Sequence, residues 1–161
     1  MSNSLYIRIY HIVTEAVSGV IMLLSLVLSV VLAIGAKGEI PTHFDVFGNP
    51  TSYGSPWTSL VLPVTHFICN AVISGILHFY PIEKWNMPKT TDNSRPYVYR
   101  DTIWLLVVTH LIVSVISLVS VICTFFARRS LGPVCTLMAF GLVAVVIALS
   151  VKTAVDAKKY A

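Results

Sequence analysis

Residues 39–57 read EIPTHFDVFGNPTSYGSPW, and two of them, His43 and Asp45, carry side chains suited to chemistry. In an extended segment, residues i and i+2 point to the same side, so an imidazole and a carboxylate could converge there. Three readings stay open for the pair. Asp45 could cap turn amides while His43 bonds a backbone carbonyl. The two could form a polar recognition edge for a ligand, or they could supply two metal ligands or an acid–base pair. A metal such as zinc needs at least a third ligand, and Glu39 and His66 are the outward candidates. The chain carries no HExxH, GxSxG or phosphate-loop motif, so no catalytic residue is assigned.

A second set of polar residues lies within apolar sequence. His66, Asn70, Ser74 and His78 follow one another at steps of four, which on a helix trace a slowly drifting stripe. Lipid cannot satisfy imidazole and amide groups, so the stripe must face other helices. His110, Ser114 and Ser117 in one later run, and Ser18, Ser25 and Ser29 in the first, are suited to interhelical hydrogen bonds. His11 and Glu15, one turn apart, read as an interfacial pair or as part of a proton path. His66 and Asn70 are expected beneath the 39–57 loop, lining a polar cavity.

The elements that position these residues follow from composition. Of 161 residues, 56% are hydrophobic and 11% charged, against about 25% charged in ordinary soluble domains. Four runs, 16–35, 57–80, 103–126 and 131–151, lack Asp, Glu, Lys and Arg in their interiors. Each is long enough to cross a hydrocarbon core of roughly 30 Å, which takes about 20 helical residues. The first run is longer than the apolar core of a cleaved signal and reads as a membrane helix. Cys69, Cys123 and Cys135 fall within the spans and read as small packing residues.

Orientation is read from Lys and Arg, which accumulate on the cytoplasmic side. Arg8, Lys84, Lys89, Arg95, Arg100, Lys152, Lys158 and Lys159 lie on one side of the expected topology, with Lys37, Arg128 and Arg129 on the other. Both termini are therefore expected in the cytoplasm and the 39–57 loop outside. The net charge of +4 follows from this asymmetry and implies no nucleic-acid partner. The 127–130 connection is short enough to predict a tight turn between antiparallel neighbours.

Pro41, Pro50 and Pro56 with Gly48 and Gly54 forbid a continuous helix in the outer loop and impose turns. Phe44, Phe47, Tyr53 and Trp57 supply aromatic content that disordered segments lack. The loop is expected to be an ordered lid over the outer ends of the helices. The 81–101 connection, broken by Pro81, Pro88 and Pro96, is expected to be an ordered cytoplasmic loop.

The run Ile40-Pro41-Thr42-His43-Phe44-Asp45, with Gly48, Pro50 and Tyr53-Gly54-Ser55 after it, resembles the signature of the SdpI-like bacterial membrane proteins. Asn86-Met87-Pro88 and Tyr99-Arg100 are similar to that family's motifs between the second and third helices. Two positions depart from the pattern: Thr51 stands where the family has an acidic residue, and Pro56 where it has a closing Lys. The resemblance spans roughly residues 10–125, and it implies a plasma-membrane protein that confers immunity to, or senses, a secreted toxic peptide.

The sequence thus predicts a single domain over 1–161. Its fold class is an all-α integral membrane protein, with four transmembrane helices in an up-down bundle and an ordered extracytoplasmic loop. His43, Asp45, Asn49, Tyr53, His66 and Asn70 are the candidate ligand-binding residues. Pro41, Gly48, Pro50 and Gly54 shape the loop, and Asn86, Pro88, Tyr99 and Arg100 mark the cytoplasmic side. Expected partners are the lipid bilayer and a secreted peptide, with a homodimer or a membrane partner subunit as further options. Cofactors are expected to be absent, zinc being the alternative. Two other functions stay open: a small membrane enzyme or ion-coupled carrier using His43, Asp45 and His66, and an accessory subunit of a larger complex.

Overall fold

The structure, a computed structural model, describes residues 3–126 and 134–161. The 127–130 turn expected from sequence lies outside the described residues. Four helices dominate: α1 (Ile9–Gly35), α2 (Val61–Phe79), α3 (Arg95–Phe126) and α4 (Val134–Lys159). All four are long and apolar enough to cross a membrane.

Three helices overrun the expected spans at one end, while α2 falls within its own. α1 begins at Ile9, α3 at Arg95, and α4 continues to Lys159. Polar residues at these ends stopped the apolar count without stopping the helix, because water satisfies their side chains. Pro96 does not interrupt: it occupies the first turn of α3, where its missing N–H has no helical partner to lose. At the start of α2, the Ser55 hydroxyl accepts the Trp57 N–H at 3.4 Å and Pro56 opens a single-turn segment that runs into the helix. Pro81, with Tyr80 extended before it, stops α2.

One element departs from an all-α fold. The loop between α1 and α2 is a two-stranded antiparallel hairpin of β1 (Ile40–Phe44) and β2 (Pro50–Gly54). Ile40, Thr42, Phe44, Thr51 and Tyr53 favour strands. Two strands have only edges, so Pro41 and Pro50 are tolerated. The register pairs Ile40 with Gly54, Pro41 with Tyr53, His43 with Ser52 and Phe44 with Pro50, with irregularities on both sides of His43.

α3 is the hub and packs against each of the other helices. Its buried residues Ile103, Val107, His110, Ser114, Ser117 and Val121 recur at alternating steps of four and three, the spacing of a helix–helix seam. The buried face of α1 carries Ser18, Met22, Ser25, Ser29 and Ala33. Small side chains let the two backbones approach, and the Ser25 and Ser117 hydroxyls meet at 3.0 Å. Such a bond contributes about 0.6 kcal/mol within a membrane. α4 packs on α3 and leaves Leu137, Phe140, Val143, Ile147, Val151 and Val155 exposed, as a lipid-facing helix would.

A buried apolar cluster lies at the end that holds the N-terminus. Leu77, Ile82, Val98, Tyr99, Ile103, Val107 and Ala157 form one buried cluster there. Asn3 closes it. Its amide donates to the Leu77 and Tyr80 carbonyls, each at 2.8 Å, and its Oδ1 accepts the Ile82 N–H at 3.0 Å. The residue thereby satisfies carbonyls at the C-terminus of α2 that the helix itself cannot.

Candidate functional site

The hairpin turn is built on Asp45. Its Oδ1 accepts the N–H groups of Phe47 and Asn49 at 2.9 and 2.8 Å, and its Oδ2 accepts the Asn49 side-chain amide at 3.0 Å. The Asn49 carbonyl accepts the Asp45 N–H in return, at 2.9 Å. Gly48 supplies the left-handed residue, φ 83°, which closes the loop. The Asn49 side chain, then the backbone N–H groups of Asn49, Phe47 and Gly48, hold the Asp45 carboxyl below the usual carboxylate range. Of the readings open for Asp45, the geometry matches turn capping.

His43 points elsewhere. Its Nδ1 lies 2.8 Å from the Ser52 hydroxyl on the facing strand, and the Thr42 hydroxyl lies 2.9 Å from the same Ser52 oxygen. The i, i+2 rule fails between His43 and Asp45, because β1 ends at Phe44 and its register is broken on either side of His43. The structure therefore ties His43 to Ser52 and Asp45 to Asn49. Among the described residues, no three His, Cys, Asp or Glu side chains are grouped so as to hold a metal ion.

His43 and Asp45 nonetheless border one space. A cavity of about 1130 Å³ lies beneath the hairpin, between the adjoining ends of α2, α3 and α4. Pro41, Gly48, Tyr53 and Gly54 also contribute to its roof. The walls are apolar where Leu62, Val121, Phe140 and Val143 line them, with hydroxyls of Thr65, Thr124 and Thr136 set among them. The Thr136 hydroxyl also donates to the Val46 carbonyl at 3.2 Å, which ties the hairpin tip to α4. An amphiphile fits such a lining, its polar group near the roof and its hydrocarbon along the helices.

The other sequence candidates are scattered. His66 is half-buried, does not line the groove, and its Nδ1 has no hydrogen-bond partner among the described residues. Asn70 donates to the Ser114 hydroxyl at 3.0 Å and lines a second cavity nearer the N-terminal end. The expected pairing of His66 and Asn70 under the lid is thus replaced by separate positions, because the stripe drifts round α2. Asn49 sits in the turn and Pro50 opens β2. Asn86 and Pro88 are exposed, Tyr99 is buried edge-on to Tyr6 at 4.9 Å, and the Arg100 guanidinium lies over the Tyr97 ring at 5.4 Å.

Sequence reasoning passed over Thr42 and Thr136 at the groove, Ser52 as the partner of His43, and Asn3 at the opposite end. Ser52 carries a faint signal, a hydroxyl where strand pairing would set it opposite His43. Asn3 carries none, since its partners are more than seventy residues away. Neither a family model, nor a curated protein, nor a solved structure matches the chain.

Proposed function

We propose that this is a bacterial plasma-membrane protein whose hairpin faces outward and recognises an extracellular or membrane-inserted ligand. In this reading the four helices cross in up-down order and both termini lie in the cytoplasm, following the Lys and Arg asymmetry. One observation carries the reading: a hairpin whose His43 borders the space beneath it roofs a groove of about 1130 Å³, with apolar walls and hydroxyls among them. An apolar peptide or another amphiphile could slide in between α2 and α4 and present a polar group to His43.

The resemblance to the SdpI-like proteins narrows the ligand to a secreted toxic peptide, with immunity as the outcome. His43 and Tyr53 form the recognition edge, while Asp45 and Asn49 hold the turn. The departures at Thr51 and Pro56 point to a ligand different from that of other family members.

The test is a challenge of cells lacking this protein with peptides secreted by neighbouring strains. Wild-type protein is expected to restore survival, and His43→Ala to fail while reaching the membrane at the same level. Equal protection by both forms, or no peptide to which the deletion strain is sensitive, would remove the proposal.

A further inference from the structure

A second cavity, of about 340 Å³, lies between α1, α2 and α3 and is separate from the hairpin groove. Glu15, Asn70 and His110 contribute to its lining together with Met22, Leu23 and Phe67. Its polar groups are rich in acceptors. Glu15 receives the Ser74 hydroxyl on one oxygen and faces His78 Nε2 at 2.9 Å with the other. A carboxylate offers about four acceptor sites, so two stay open. Asn70 uses its amide nitrogen on Ser114, which leaves its oxygen available.

His110 packs beside them with only 2% of its surface exposed, its Nε2 buried away from the open space. The cavity therefore offers a carboxylate and an amide oxygen in a setting otherwise dominated by hydrocarbon. An ammonium group matches this set, with one positive charge and three N–H donors. The Phe67 ring adds a face that attracts cations.

Access is from the side. Gly19, Leu23, Phe67 and Ala71 are exposed on the rim, and Gly19 leaves open space, with nothing within 4 Å of where a Cβ would sit. We propose that this cavity binds a protonated amine carrying a short apolar chain, which enters from the bilayer between α1 and α2. A bare metal cation suits the site less well, because the volume far exceeds one ion and most of the lining is hydrocarbon.

The test uses the full chain in lipid nanodiscs, titrated with hexylammonium chloride, with 1-hexanol as the neutral isostere and sodium chloride as the competing cation. Empty nanodiscs correct for partitioning. Saturable hexylammonium binding is expected, with none for hexanol and no displacement by sodium. Glu15→Gln should weaken it by about tenfold or more, the effect of losing a charge-assisted hydrogen bond. Gly19→Leu should block it by filling the cavity while every polar group stays in place, and circular dichroism checks that both variants keep their helices. Absence of saturable binding, equal binding of hexanol, displacement by sodium, or unchanged affinity in a folded variant would each overturn the proposal. None of these results depends on the hairpin, so failure here leaves the peptide-recognition reading untouched.

Discussion

Nδ1 of His43 and the hydroxyl of Ser52 stand 2.8 Å apart across the hairpin, so the second strand holds the imidazole that the first brings to the edge of the groove. This contact orients the one imidazole that borders the large cavity. Removing Ser52 should therefore weaken recognition without unfolding the hairpin. Ser52→Ala is expected to reduce protection against the peptide by several-fold and Ser52→Thr to restore it. Survival curves of the two variants at matched membrane levels provide the check.

Gly54 and Thr42 make a second pair with a sharp consequence. A Cβ on Gly54 would come within 3.0 Å of the Thr42 Cγ2 methyl, and the Thr42 hydroxyl is held by Ser52. Gly54→Ala should push Thr42 aside and disturb the His43–Ser52 contact. Thr42→Ser removes the methyl and keeps the hydroxyl. The double variant Gly54→Ala/Thr42→Ser should accordingly protect better than Gly54→Ala alone, a rescue measured in the same survival assay.

The turn has its own pH dependence. Bonds from Asn49 and Phe47 lower the Asp45 pKa in the folded hairpin. A depressed carboxyl pKa contributes stability that is fully present above the unfolded value and is lost as pH falls through the folded one. Amide protection of Phe47 and Asn49 should be flat near neutral pH and decline only in acid. Asp45→Asn should flatten that decline, as followed by hydrogen exchange. Gly48→Ala should weaken the turn at every pH, by roughly 1–2 kcal/mol, because φ of 83° suits glycine.

Asn3 provides a test at the other end. Replacing it with Ala leaves the Leu77 and Tyr80 carbonyls and the Ile82 N–H without their side-chain partner. A loss of about 1–3 kcal/mol is expected for buried groups of this kind. Thermal unfolding in detergent reads the change, and Asn3→Asp should recover only the Ile82 bond.

Much of this architecture was legible in the chain. The helices announce themselves because each must hide its backbone from lipid over some 20 residues, which writes a long apolar run into the sequence. The serine stripes were legible for a related reason, and Ser25 and Ser117 meet as their spacing suggested. Strand pairing in the outer loop was not legible. Its five-residue strands hold Pro41 and Pro50, and the irregularities around His43 erase the period of two. That loss also explains why His43 and Asp45 found separate partners. The groove and the Asn3 contacts arise from helices brought together over long sequence separations, a matter of packing that no local pattern records.

Outward exposure of the hairpin is tested most directly by a single cysteine at Phe47, the exposed tip residue, in a chain whose three native cysteines are replaced by alanine. Intact cells are treated with a membrane-impermeant maleimide before and after permeabilisation. Full labelling of intact cells is the expected result, since the hairpin roof must meet its ligand from outside. Labelling that appears only after permeabilisation would place the roof in the cytoplasm and contradict the account.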